Sequence, residues 1–176
     1  MTRQAQSQHG GNCQSAHGGL SACQGPALWR FNVRSAPLVT GDYIECMIEA
    51  DRLDDGGRSQ VTVRVADILS YVVLKILAFQ DRHENRDAYD LIFCLLNYED
   101  GPGDAGQHAA VSTITGHQRV HSALALLTER FESAEHDGPH AYGAFLDDGD
   151  TEDVARLRQE AVAVVRQFLA PLSSAT

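Results

Sequence analysis

The chain has 176 residues, 43% of them hydrophobic, with 14 Lys and Arg against 24 Asp and Glu for a formal net charge of −10. That length and apolar content suit a single globular domain with a real core. The acidic balance excludes a general nucleic-acid binder, and the lack of any apolar run of roughly 18 to 20 residues excludes a helical membrane span.

In chain order, residues 1–26 are rich in Gly, Gln, Ser and His and poor in large apolar side chains. They cannot bury enough surface to offset the entropy of ordering, which predicts a disordered low-complexity leader. His9, Cys13, His17 and Cys23 within it are zinc-capable types. Without a Cys-x-x-Cys knuckle or finger spacing, and with Gly10-Gly11 and Gly18-Gly19 opposing a helix, the low-complexity reading is preferred over a zinc site. A single folded domain is expected over 27–176. The N-terminus has no basic segment followed by an apolar one, and Cys13, Cys23, Cys46 and Cys94 are irregularly spaced. The expectation is a soluble cytoplasmic protein with free thiols.

Residues 28–33 read as an extended segment ended by Pro37, and 42–49 as a second strand. The run Asp54-Asp55-Gly56-Gly57 signals a hairpin turn. In 59–65, Val61, Val63 and Val65 alternate with Gln60, Thr62 and Arg64, as in a strand with one buried face. Leu69, Val72, Val73, Ile76 and Leu77 then recur at helical steps with Asp67 as the N-cap. A second helix, carried by Leu91, Ile92, Leu95 and Leu96, opens at Asp87 and Asp90. The glycines at 101, 103 and 106 with Pro102 make 99–107 a loop, and Val120, Ala123, Leu124, Leu127 and Phe131 mark a third helix. Gly138-Pro139 reads as a break before a short helix around 142–146. The last helix is carried by Val154, Leu157, Ala161, Val164, Val165 and Phe168, with Asp150 or Thr151 as its cap. The fold class predicted is α+β, a small early sheet followed by a helical layer.

The stretch 75–96 carries the chemistry. Lys75, Arg82, Arg86, Asp87 and Asp90 lie among apolar residues with helical spacing on both sides of a polar break. Two helix faces flanking that break would hold a cation and a carboxylate pair in one cleft, which suits phosphates and a divalent metal. Each residue also has a plainer role. Lys75 can snorkel from a half-buried position, and Asp87-x-x-Asp90 can act as a capping box. Asp90, three residues after Asp87, brings a second carboxylate to the same face or pairs with Arg86 or Arg82.

The order Lys75-Ile-Leu-Ala78, Arg82, then Arg86-Asp87-Ala88-Tyr89-Asp90-Leu91 resembles the C-terminal motif region of the AbiEii/AbiGii-type nucleotidyltransferases. These are toxin components of bacterial abortive-infection and toxin–antitoxin systems within the DNA polymerase β-like superfamily. The segment Val61-Thr-Val-Arg-Val-Ala66 resembles the strand ahead of that motif helix, and the likeness covers 58–98 best. It implies a partial nucleotidyltransferase-like fold with Lys75, Asp87 and Asp90 catalytic. It further implies that Lys75, Arg82 and Arg86 bind the nucleoside triphosphate and that Asp87 and Asp90 bind magnesium. The reaction implied is magnesium-dependent transfer of a nucleotide to a tRNA or protein acceptor, with an antitoxin protein as a further partner and no membrane involved.

Relatives of that type also need an upstream Gly-Ser turn with an Asp-x-Asp or Asp-x-Glu pair. Upstream of Lys75 the candidates are Gly41-Asp42, Glu45, Glu49 and Asp51, and no Gly-Ser precedes them. The resemblance therefore implies a truncated or degenerate member with an incomplete two-metal centre. The reading from a different class is a non-catalytic α+β interaction protein in which Lys75, Arg86, Asp87 and Asp90 form a structural ion network.

Overall fold

A computed structural model of the chain describes residues 36–174 apart from 55, 148 and 150. Every described residue belongs to one compact unit, Asn32–Thr176. The leader, its zinc-capable residues, the extended segment at 28–33 and Asp150 lie outside the described residues.

After a single helical turn, α1 (Ala36–Val39), two strands follow, β1 (Tyr43–Asp51) and β2 (Arg58–Ala66). Six helices complete the order: α2 (Ile68–Arg82), α3 (Asn85–Leu96), α4 (Pro102–Ala110), α5 (Gln118–Arg130), α6 (Asp137–Leu146) and α7 (Thr151–Ser174). The fold is a small α+β arrangement, a two-stranded antiparallel sheet followed by helices. No described helix is long and apolar enough to cross a membrane.

The hairpin pairs Tyr43 with Ala66 at its root and Asp51 with Arg58 at its tip. Its turn closes through the Arg52 N–H to Gly57 O at 2.7 Å and the Gly56 N–H to Arg52 O at 3.1 Å. Gly56 takes φ +69°, a left-handed conformation that glycine adopts without penalty. The alternation of Val61, Val63 and Val65 does give a strand, but the expected buried face is not found. Val61 is 54% and Val65 46% exposed, because a two-stranded sheet has no second layer against it among the described residues.

The core lies among the helices. Leu69, Val72, Val73 and Ile76 of α2 meet Leu91, Ile92 and Leu95 of α3, Val120, Ala123 and Leu127 of α5, and Ala161, Val165 and Phe168 of α7. Asp67 caps α2 as expected, its Oδ1 accepting the Ile68 N–H at 2.6 Å. Two residues then separate α2 from α3. His83 is left-handed at φ 53° and Glu84 extended, so the chain reverses and the two helices run back along one another.

Two expected breaks are helical instead. The glycine-rich stretch read as a loop contains α4, with Pro102 in its first turn and Gly101 at the N-cap. Gly106 is there for contact, since a Cβ on it would overlap the Phe168 carbonyl of α7. Gly138-Pro139 likewise lies in the first turn of α6, where Gly138 abuts the Phe131 ring. Glycine at a helix–helix contact and glycine in a loop have the same composition. In both places the helix partner, and not the local preference, decides.

Gly106→Ala is therefore expected to destabilise the protein by about 2 to 3 kcal/mol, since backbone blocks the added methyl. Gly103→Ala in the same helix meets nothing within 4 Å and should be neutral or stabilising by about 0.5 kcal/mol. Urea midpoints of the two variants read the difference. Tyr142 on α6 supplies a pH test, because burial and then neighbouring Glu160 push its phenol up to about 12. The unfolded chain releases this proton near pH 10 and the folded one near 12, so stability should fall with rising pH between those values. In Tyr142→Phe the slope in that window should be smaller by one proton, as measured by urea unfolding across the window.

Candidate functional site

The α2–α3 reversal brings the five candidate residues of the motif stretch together. Lys75, in the middle of α2, donates from Nζ to Asp90 Oδ2 at 2.6 Å and to Asp87 Oδ1 at 3.4 Å. Arg82, in the last turn of α2, donates from Nη2 to both Asp87 oxygens at 2.7 Å. Arg86 is held more loosely, with Nε 3.9 Å from Asp90 Oδ2.

Burial grades the set. The Asp87 side chain is 3% exposed, Lys75 22%, Asp90 26%, Arg82 57% and Arg86 77%. A buried carboxylate is tolerated only when its lone pairs are matched, and Asp87 meets a cation at each oxygen. Its position differs from the capping role considered from sequence. The N-cap of α3 is Glu84, and Asp87 is three residues inside, its N–H bonded to Glu84 O at 2.9 Å and its side chain turned across to α2.

Tyr71 joins the cluster although nothing in the charge pattern singled it out. It precedes Lys75 by one helical turn, its hydroxyl donates to the Asp90 carbonyl at 3.1 Å, and the Lys75 ammonium lies 5.9 Å from its ring centre. Burial, reinforced by Cys94, Asp90 and Asp87, holds its phenol above the ordinary tyrosine range. Burial likewise raises the Cys94 thiol, against the opposing charge of Lys75. The four-residue step from Lys75 back to Tyr71 was the available signal.

Three cations face two carboxylates, a net charge of +1 carried mainly by the exposed guanidinium groups of Arg82 and Arg86. The pair Asp87 and Asp90 does converge, but on the Lys75 ammonium, where a divalent ion bridging the same two carboxylates would have to lie. As arranged, these side chains fit an ammonium rather than magnesium. Among the described residues, no group of three or more His, Cys, Asp or Glu is placed to hold a metal ion.

The upstream acids lie elsewhere. Asp42 is buried at the hairpin root, where its carboxylate accepts the Ser70 N–H of α2 at 3.1 Å and the Ser112 hydroxyl at 2.5 Å. Asp67, besides capping α2, accepts from or pairs with His108 Nε2 of α4 at 3.1 Å. Glu45 pairs across the strands with Arg64 at 3.2 Å, and Glu49 and Asp51 with Arg58 at 3.3 and 3.8 Å. None of these acids joins Lys75 in its network.

On the far side of α3, Tyr89 stacks against Phe145 of α6 with ring centres 4.5 Å apart. That contact fixes the helix carrying Asp87 and Asp90 against the rest of the body. Neither a family model, nor a curated protein, nor a solved structure matches the chain.

Proposed function

We propose that the chain is a non-catalytic α+β interaction protein, working in the cytoplasm, in which Lys75, Arg82, Asp87 and Asp90 clamp α2 to α3. The observation that carries this reading is the pairing itself. Both oxygens of the buried Asp87 are taken up by cations of the same domain, and Lys75 bridges the two acids that catalysis would require. The free thiols of Cys46 and Cys94 suit a reducing compartment.

One observation favours a second reading. The Arg86 side chain is 77% exposed and the Arg82 side chain more than half, so two guanidinium groups stand exposed beside the first turn of α3. A nucleoside triphosphate carrying its own magnesium could place phosphates on that rim, as in an AbiEii-type nucleotidyltransferase with a tRNA or protein acceptor and an antitoxin partner.

The two readings separate in one set of measurements. For a clamp, Asp87→Ala should lower stability by about 3 kcal/mol, and Arg86→Ala by less than about 0.5 kcal/mol. Millimolar ATP, CTP, GTP or UTP with magnesium should leave the melting temperature unchanged. A rise with any one of them that disappears in Arg86→Ala would replace the clamp reading with the nucleotide reading.

A further inference from the structure

The β1–β2 hairpin carries an apolar face that the helical body does not cover. Through the register Ile44↔Val65, Cys46↔Val63 and Ile48↔Val61, these side chains share one side of the sheet, and no charged residue interrupts them. Ile44 is 46% exposed and Ile48 50%, close to the values for Val65 and Val61. On the opposite side Glu45 pairs with Arg64 and Glu49 with Arg58 around an exposed Met47, and both carboxylates stay about half exposed, open to a further cation. Each strand has nine residues, and no third described strand pairs with either edge. A two-stranded ribbon is marginal in water alone, and an unpaired edge is a template for another strand.

Charge selects the occupant. β1 carries Glu45, Glu49 and Asp51 and no cation, whereas β2 carries Arg58 and Arg64 and no anion. A strand added beside β1 meets carboxylates at Glu45, Glu49 and Asp51 on one face, and opposite charges on neighbouring strands favour pairing. A second copy would bring together two chains of formal net charge −10, which opposes self-association.

We propose that the outer edge of β1 receives an extended segment of a partner protein, alternating apolar residues with Lys or Arg. Its backbone continues the sheet, its apolar side chains widen the Ile44–Val65 face, and its cations meet Glu45 and Glu49. This names the partner chemistry for the interaction reading above, while the clamp is tested separately by the stability of Asp87→Ala.

The experiment titrates the full-length chain, at low salt, with a nonapeptide alternating Lys and Val and with its Glu and Val counterpart, following backbone amides by NMR. The Lys peptide should bind at least about tenfold more tightly than the Glu peptide, a difference typical of modest charge complementarity. The largest shifts should fall on residues 43–51. Glu45→Gln with Glu49→Gln should erase the preference, and Ile48→Lys should abolish binding while leaving the helical circular dichroism unchanged. Four results would overturn the proposal: no binding of the Lys peptide at millimolar concentration, equal binding of both peptides, shifts centred on residues 58–66, or a dimer that Ile48→Lys dissociates. Slow amide exchange along the outer edge of β1 in the peptide-free monomer would also overturn it, because the chain itself would then already cover that edge.

Discussion

The carboxylate of Asp87 is the constraint around which the helical body is arranged. A buried charge without partners is costly enough that its neighbours must be placed with care. Here the partners come from two points of α2, Lys75 in its middle and Arg82 in its last turn. With only His83 and Glu84 between the helices, the position of α3 along α2 is closely limited. A slip of one residue would rotate Asp87 by about 100° around its helix and separate it from both cations. The same rotation would displace Leu91, Ile92 and Leu95, which are buried along the adjoining face of α3. Charge matching and apolar burial therefore select the same register.

A second polar cluster ties the hairpin to this body. Asp42 stands just before β1 and Asp67 just after β2, and the Asp67 N–H bonds to Asp42 O at 3.2 Å. The two carboxylates serve the start of α2 by accepting the N–H groups of Ser70 and Ile68. They also reach Ser112 and His108, at and beyond the end of α4. The root is thus held by several elements, while the strands beyond it rely mainly on each other. Such a graded attachment gives a firm base and a locally less stable blade, the property expected of a segment that pairs with something else.

Much of this was legible in the sequence because the signals were local. The periodicity of Leu69 to Leu77 and the cap at Asp67 define α2, and the spacing from Val120 to Phe131 defines α5. The Asp-Asp-Gly-Gly run marks the hairpin turn. The charged stretch also named residues that meet in space, Lys75, Arg82, Arg86, Asp87 and Asp90. Their use depends on tertiary geometry that spacing does not encode. Sequence shows that two carboxylates share a helix face but not that a lysine from the preceding helix lies between them. The helical glycines were obscure for the same reason. Gly106 and Gly138 look like loop formers until Phe168 and Phe131 are seen against them.

The alternating valines of β2 lead to the last step. Alternation predicts that one side of a strand is covered, and the helices do not cover it. The apolar pattern is nevertheless as regular as that of a buried strand, and its register with Ile44, Cys46 and Ile48 produces a continuous surface. Scattered exposed hydrophobic residues need no explanation, but a continuous apolar face on a ribbon with unpaired edges marks a site of association. The carboxylates of the charged cluster are answered within the domain, whereas no described element covers the apolar surface or the outer backbone edge of the hairpin. On the proposal made above, a partner is engaged by β1 and β2 rather than by the residues whose charges first draw notice.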